Sequence, residues 1–215
     1  DRVRALLQLK FGDFPHPSTL YRSFERAPMS VWRGLLSGTA ALLDWTGHAA
    51  IDATYFNRWR ASAHYLRRTG RTVKTVQTTF LVDANTGVIT DLHCSAKWPS
   101  GMRIGPKIAS RNLEAIQSLA ADKGYDARAF RETLRDGGVR PLIKHRVFTS
   151  LDAAHNARID DELYHGRSMT ETVNSSIKRS KGSSLRSQAW YRQFREIALI
   201  AGVYNVERTV KSSET

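Results

Sequence analysis

The sequence has very little cysteine, no long hydrophobic run and fewer acidic than basic residues. Cys94 is the single cysteine among 215 residues, which excludes an internal disulfide and a zinc cluster built on thiolates. The seven histidines show no pair at metal-ligand spacing. No apolar run approaches the roughly 18 residues that cross a bilayer, and no signal peptide is visible. We therefore expect a protein with no membrane partner, and its cysteine usage is consistent with a reducing cytoplasm.

Basic residues are present in clear excess. Thirty-three Lys and Arg against 20 Asp and Glu give a formal net charge of +13. Such an excess favours a polyanionic partner, with nucleic acid as the first candidate and an acidic membrane surface as the alternative. Hydrophobic residues make up 41% of the chain, which is enough for one buried core with a small helical piece attached.

Residues 1–46 have the pattern of two helices. Ser18 is placed to cap the first, and Val31 opens a second apolar stripe that runs to Leu43. Two short helices around a tight turn fit either a helix-turn-helix that grips DNA or a layer that only packs, and we favour the packing layer. The basic residues available for phosphates are Arg22, Arg26 and Arg33. The chain has no initiating Met, which predicts an incomplete amino end.

Residues 48–56 form a short apolar run rich in β-forming residues, which predicts a buried strand. A single acid, Asp52, interrupts the run. Burying an unpaired ionised carboxylate is so costly that such a group normally finds a cationic partner, binds a metal or shifts its pKa. Two interpretations are therefore open for Asp52, an arginine partner and a metal.

The segment 57–74 interleaves cations with aromatic residues. Arg58 and Arg60 flank Trp59, and further basic residues follow. This pattern suits a DNA backbone with occasional base stacking, and a solvated hairpin with structural aromatics fits nearly as well.

The rest of the chain alternates strands and helices. Two strands are predicted at 72–82 and 88–96, joined by a hairpin loop around Asp83, and a loop follows at 98–105. Pro106 then opens a predicted helix, whose buried stripe consists of Ile108, Leu113, Ile116 and Leu119. The remaining predicted elements are a short strand that ends in a turn at Gly124, a helix at 127–136, a strand at 139–143, a polar connection at 149–162 and a final helix at 188–211. Trp98 is interpreted as a core residue. This order predicts an α/β protein with a mixed sheet and helices on its faces.

Asp122 lies where the short strand before Gly124 ends. Open α/β sheets place reactive groups at the carboxyl ends of their strands. A helix-capping or turn aspartate is an ordinary alternative for the same residue.

The stretch 164–178, YHGRSMTETVNSSIK, predicts a helix because Met169, Val173 and Ile177 recur every fourth position. A second stripe of this helix carries Tyr164, Arg167, Glu171 and Lys178, at offsets of zero, three, seven and fourteen. A capping box of Ser168 and Glu171 is the structural alternative. The acids at 160–162 lie on no stripe backed by apolar residues, so we rank them below Glu171.

The spacing of these four residues resembles the YREK signature of a superfamily of DDE insertion-sequence transposases. The resemblance extends from about residue 17 to the end of the chain. It implies a ribonuclease H-like catalytic domain at 47–215, with its first and fourth strands as neighbours, after the helical segment at 1–46. It also implies that Asp52, Asp122 and Glu171 are the catalytic acids, Asp122 standing in the D-x-G-Y context of the second family aspartate.

The resemblance further implies a transposase that cleaves DNA at the ends of its own insertion sequence and transfers the 3′ hydroxyl ends to target DNA. The three acids would hold two Mg²⁺ ions, with Mn²⁺ as a substitute. Expected DNA contacts are Tyr164, Arg167, Lys178, Arg58, Arg60 and Lys181. The expected partner is double-stranded DNA, both terminal inverted repeats and target, bound by a homodimer at the cytoplasmic nucleoid.

Two other functions remain open at this stage. One is a catalytically inactive or repurposed transposase remnant that binds DNA without cutting it. The other is a metal-dependent nuclease of the same fold, which would cut DNA but never join a freed 3′ end to a new strand.

Overall fold

The computed structural model describes residues 15–60 and 62–213, and within them five strands form one mixed sheet. The strands are β1 (His48–Asn57), β2 (Thr75–Asp83), β3 (Ile89–Ser95), β4 (Ser118–Ala121) and β5 (Arg140–Ile143). Their order is β3-β2-β1-β4-β5, in which β1 to β3 form successive antiparallel pairs and β4 and β5 run parallel to β1. The predicted mixed sheet is confirmed, and the first and fourth strands are neighbours as expected.

Helices cover both faces of this sheet. They are α1 (Pro17–Arg26), α2 (Met29–Ala40), α3 (Ala63–Thr69), α4 (Gly101–Ala109), α5 (Arg128–Asp136), α6 (Ser150–Ala157), α7 (Asp161–His165), α8 (Ser168–Lys181) and α9 (Trp190–Ser212). Helices α2, α8 and α9 pack on one face, and α4 and α5 pack on the other. Among the residues that the structure describes, no helix is both long and apolar enough to span a bilayer.

The alternation of side chains along β1 decides which face each residue serves. Phe56 packs with Val173 and Ile177 of α8, whereas Ile51 packs with residues of α4 and α5. Successive strand residues point to opposite faces, so Asp52 shares the α8 face with Phe56. The strand pattern therefore directs Asp52 toward the helix that carries Glu171.

The β2–β3 hairpin is closed by Asp83, the turn residue that the sequence predicted. Its buried carboxylate accepts hydrogen bonds from the backbone N–H groups of Thr46, Asn85 and Thr86 at 2.7, 2.9 and 2.8 Å. Gly87 follows with φ of +71°, a left-handed conformation that glycine adopts without strain. Asp83 is therefore structural and does not compete for a catalytic role.

The edge strand β3 is held by α2 and α9. Asp91 on β3 accepts hydrogen bonds from the guanidinium groups of Arg33 at 3.2 Å and Arg111 at 2.9 Å. Asn205 of α9 accepts a bond from the Ile89 N–H at 2.9 Å and donates one to the Ile89 carbonyl at 2.8 Å. Helix α2 is thus a packing element, and Arg33, expected to be available for phosphates, is engaged in the fold.

The helix before β4 starts and ends earlier than predicted. It begins at Gly101, so much of the expected loop at 98–105 is helical, and Pro106 lies inside the helix instead of opening it. The predicted single stripe was wrong, because the helix ends at Ala109 and Leu119 belongs to β4. The apolar residues of these separate elements are buried in the same hydrophobic cluster, and their spacing in the sequence is the spacing expected for one helix.

The connection at 149–162 contains α6 and α7, which the sequence pattern did not reveal. Thr149 and Asp152 form a capping box at the start of α6. Neither helix has a buried residue, so no apolar periodicity marks them in the sequence.

Two interpretations of the aromatic segments are corrected. The segment 57–74 is not a hairpin, because it contains α3, which Ser62 caps at its amino end. Trp98 is not a core residue, since it is 60% exposed in the turn that follows β3.

Candidate active site

The pairing of two adjacent strands brings Asp52, in the middle of β1, beside Asp122, which follows the end of β4. Strands β1 and β4 pair in parallel, and Ile51 lies opposite Ala121. Asp52 and Asp122 are the next residues along these two chains, and neighbouring strands lie about 4.8 Å apart. The register therefore places the two acids together, although 70 positions separate them in the sequence.

Asp52 lies in a partly buried environment that is crowded with charge. Burial raises the pKa of its carboxyl above the ordinary value, and a hydrogen bond with the backbone of Ala53 opposes that shift. The negative charge of Asp122 raises the pKa further, the guanidinium of Arg167 lowers it, and Glu171 raises it again. All three predicted acids therefore belong to one electrostatic neighbourhood.

Asp122 combines the two roles that its sequence position allowed. Strand β4 ends at Ala121, so Asp122 stands at a strand terminus. Its Oδ1 accepts a hydrogen bond from the N–H of Gly124 at 2.7 Å and caps the short 3₁₀ turn Lys123–Tyr125. The turn fixes the carboxylate beside Asp52.

Glu171 reaches this neighbourhood from the first turn of α8. Buried Val173 and Ile177 seat the helix against the sheet. The capping-box alternative is wrong, because Ser168 is the first residue inside the helix and Arg167 occupies the cap position without a side-chain bond. Glu171 instead accepts a hydrogen bond from Arg167 at 3.0 Å.

The ion pair of Arg167 and Glu171 is a weak surface interaction. The Glu171 side chain is 62% exposed, and exposed pairs contribute roughly 0–1 kcal/mol. Glu171 is therefore not locked to Arg167, and its carboxylate can exchange that partner for a cation.

Tyr164 and the rest of the signature do not lie on one helix, contrary to the prediction. Tyr164 belongs to α7, which ends at His165, and its ring packs against buried residues of β4 and β5. The ammonium of Lys144 lies 4.4 Å from the centroid of that ring. Glu171 and Lys178, seven positions apart within α8, do share a helix face.

The three acids are suitable ligands for a divalent cation, but their carboxylates do not converge on one point in this structure. In the described part of the chain, no three His, Cys, Asp or Glu side chains converge closely enough to hold a metal as they stand. Three carboxylates repel one another, and two of them are bonded to other groups: Asp122 accepts from Gly124 and Glu171 accepts from Arg167. Oxygen ligands of this kind suit Mg²⁺, and the repulsion that raises the pKa of Asp52 is what a cation would relieve. The residues therefore fit the predicted metal.

Comparison with known protein families gives a match to the model described as the transposase DDE domain. The match covers residues 40–206, which is well over half of the chain. The chain belongs to the transposase DDE domain family. None of the curated proteins compared with the sequence matches it.

Two solved transposase structures are similar to this DDE domain. A piggyBac transposase synaptic complex with hairpin DNA matches with a TM-score of 0.52 and 9% identity, covering 93% of this chain and 55% of that one. At this identity the likeness concerns the ribonuclease H-like fold alone, and the chain spans about half the length of the piggyBac transposase. A Mos1 transposase paired-end complex with the left transposon end matches with a TM-score of 0.33 and 14% identity, covering 81% of this chain and 68% of that one.

The other predicted DNA contacts of the DDE domain differ in their exposure to solvent and in their bonding partners. Arg58 is tied to α9, because its Nε donates to Gln193 at 2.9 Å. Lys181 forms an ion pair with Glu207. Arg60 is exposed and lines a cavity of about 510 Å³ together with residues 182–184. Their contacts with DNA stay predictions, and Arg60 is the most accessible of the three.

Tyr125 is a residue of the DDE domain whose part in the site the sequence did not reveal. Burial strongly raises the pKa of its phenol, and the negative charge of Asp52 raises it further. Its ring packs against Gly101 of α4 so closely that a Cβ atom at Gly101 would lie 3.0 Å from the ring. The D-x-G-Y motif contained the signal, since Tyr125 follows Asp122 by three positions within the same turn.

Proposed function

We propose that this DDE domain cleaves DNA at the ends of an insertion sequence and transfers the freed 3′ hydroxyl groups to target DNA. The observation that carries the proposal is the strand register that sets Asp52 beside Asp122, with the charge of Glu171 acting on the same carboxyl. Family membership and fold support the same chemistry.

The three acids act as ligands in this proposal. When bound, two Mg²⁺ ions, or Mn²⁺ in their place, supply Lewis acidity to the attacking and leaving oxygens of an in-line phosphoryl transfer. Asp52 must be ionised to serve as a ligand. Arg167 favours that state, because its positive charge lowers the pKa of Asp52.

The cations of the signature hold phosphates beside these acids. Arg167 is 29% exposed and adjoins both Glu171 and Asp52, so its planar guanidinium is placed for a two-pronged phosphate contact. Lys178 lies on the Glu171 face of α8 and adds a point charge. Tyr164, with Lys144 over its ring, supports the DNA end with an aromatic surface and a cation.

The proposed partner is double-stranded DNA, as terminal inverted repeats and as target. The formal net charge of +13 supports a polyanionic ligand. We further propose that a homodimer holds the two ends, and that the protein works at the cytoplasmic nucleoid.

The test is a cleavage and joining assay. The protein is incubated with Mg²⁺ and duplex oligonucleotides that carry the terminal inverted repeats flanking its gene, together with a target plasmid. Wild type is expected to nick at the repeat and to join the 3′ end, whereas Asp52→Asn and Glu171→Gln lose at least a hundredfold in rate. Glu132→Gln is the matched control, because Glu132 forms the same kind of exposed i,i+4 pair, with Arg128, on α5.

The outcomes separate the proposal from its two alternatives. Nicking without joining would indicate a nuclease. Binding without nicking, with wild type equal to Asp52→Asn, would indicate an inactive remnant. Equal loss in Glu171→Gln and Glu132→Gln would remove Glu171 from the site.

A further inference from the structure

A second cleft lies on the sheet face opposite to Asp52. His93 and Ser95 of β3 point away from Leu92, which packs on the α8 face, and they line a cavity of about 630 Å³. We call this cavity the β3–α4 cleft. Its other lining residues include Trp98 and the cations Lys97, Arg103 and Lys107.

The β3–α4 cleft has the charge of an anion site. Arg103 and Lys107 are exposed and stand four residues apart on α4, where like charges repel each other. Across the part of the chain that the structure describes, no acidic side chain forms an ion pair with Lys97, Arg103 or Lys107. Burial and surrounding cations, Lys107 among them, lower the pKa of His93, as expected where the potential is positive.

Trp98 gives the cleft an aromatic wall. Its indole N–H donates to the carbonyl of Thr75 at 3.3 Å, and the ring of Tyr55 meets it edge-on with centroids 6.2 Å apart. Trp98 has φ of +26° and precedes Pro99, a combination that is strained for a residue with a side chain. These contacts hold a 60% exposed indole in a fixed position.

The cleft is within reach of a DNA strand at the catalytic acids. Tyr55 follows Asp52 by three residues on β1, a distance of about 10 Å along a strand. The side chain of Tyr55 lies on the face opposite to Asp52, which is the face of the cleft, and its ring contacts Trp98. A single strand that passes from Asp52 around the carboxyl end of β1, at Asn57, to the opposite face of the sheet would reach the cleft.

We propose that the β3–α4 cleft binds an unpaired stretch of DNA, with one base stacked on Trp98 and neighbouring phosphates held by Arg103 and Lys107. Sites for single strands combine a cationic groove with aromatic side chains on which bases stack. Paired bases hide their faces inside the duplex, so only an unpaired base meets the indole. The inference rests on the proposed function for the nature of its ligand, DNA.

The experiment measures binding of a labelled oligo-dT strand to the complete chain in EDTA at fixed salt, by fluorescence anisotropy. Trp98→Ala is expected to weaken binding about tenfold, the effect of losing one stacked base, and Trp98→Phe to retain most of it. Arg103→Gln with Lys107→Gln is expected to lower the salt dependence by about 1.4, the value for two single-strand phosphate contacts. The matched control is Trp190→Ala, since Trp190 is 58% exposed on α9 and should leave the affinity within twofold.

Equal affinity of wild type and Trp98→Ala would overturn the proposal. An equal loss for the single strand and for a duplex of the same length would overturn it too, because stacking on an unpaired base would then not be the contact. Circular dichroism checks that each variant is folded. The assay contains no divalent cation and records binding alone, so its result is separate from the result of the cleavage assay.

Discussion

Asp52 is a carboxylate in a strand whose neighbours Ala50 and Ile51 are fully buried, and its raised pKa records the cost of that position. Burial is the main cause, and repulsion by Asp122 and Glu171 adds to it. A carboxylate at this position therefore destabilises the fold when it is ionised. Active sites are places where burial and like charges are combined in this way.

The first prediction concerns the pH dependence of stability. The native carboxyl of Asp52 holds its proton more tightly than the unfolded one, so in EDTA the free energy of unfolding falls as pH rises from 3.8 through the raised native value. Asp52→Asn removes this decline. At pH 7 we expect its Tm to exceed that of wild type by about 2 °C, a small value because solvent screens a partly exposed group.

Thermal melts from pH 4 to pH 7 check this prediction. Asp136→Asn, at the exposed carboxyl end of α5, serves as the control and should keep the wild-type slope. Parallel stability curves for wild type and Asp52→Asn would contradict the account of Asp52.

At the scale of elements, α9 completes the edge of the sheet. Buried Asn205 accepts from the N–H of Ile89 and donates to its carbonyl, as a neighbouring strand would. Apolar packing of Ile197 and Ala201 from the same helix holds it in place. At Ile89 the edge strand β3 thereby keeps its backbone N–H and carbonyl paired without a further strand.

The second prediction follows from this contact. Asn205→Leu leaves a buried N–H and a buried carbonyl of Ile89 without partners, at a cost of about 1–3 kcal/mol each. We expect the free energy of unfolding to fall by about 3 kcal/mol in a urea titration. The neighbouring control Val206→Ala, at an exposed position, should change it by less than about 0.5 kcal/mol. An equal effect of both substitutions would show that the Asn205 hydrogen bonds are not the cause.

The strand positions of Asp52 and Asp122 were predictable because their signals are local. An apolar run with one acid placed Asp52 in β1, and the short strand before Gly124 placed Asp122 at its end. Helices α6 and α7 were missed because neither has a fully buried residue, and therefore neither shows an apolar periodicity. The exposure of Trp98 was missed because it depends on the turn after β3, which no periodicity describes.

At the scale of the whole molecule, a chain with a formal net charge of +13 places three acids in one electrostatic neighbourhood. Asp52 in β1 lies beside Asp122 at the end of β4, and the charges of Arg167 and Glu171 act on Asp52. Lys178 lies on the Glu171 face of α8, about two turns further along the helix. In the proposed function, a duplex bound beside these acids is held mainly through its phosphates, whose contacts release counterions.

The third prediction is the salt dependence of duplex binding. If Lys178 contacts a phosphate, Lys178→Gln should lower the slope of log K against log salt concentration by about 0.9. Arg128→Gln is the control, since Arg128 is 88% exposed on α5 and is assigned no DNA contact. Unchanged slopes in both variants would place Lys178 outside the interface.

The central claim is that Asp52, Asp122 and Glu171 share divalent cations, and titration calorimetry with Mn²⁺ in the presence of duplex DNA tests it most directly. We expect wild type to bind the ion, and Asp52→Asn, Asp122→Asn and Glu171→Gln each to weaken binding at least tenfold, while Glu132→Gln leaves it unchanged. Equal Mn²⁺ affinity in wild type and the three acid variants would contradict the account.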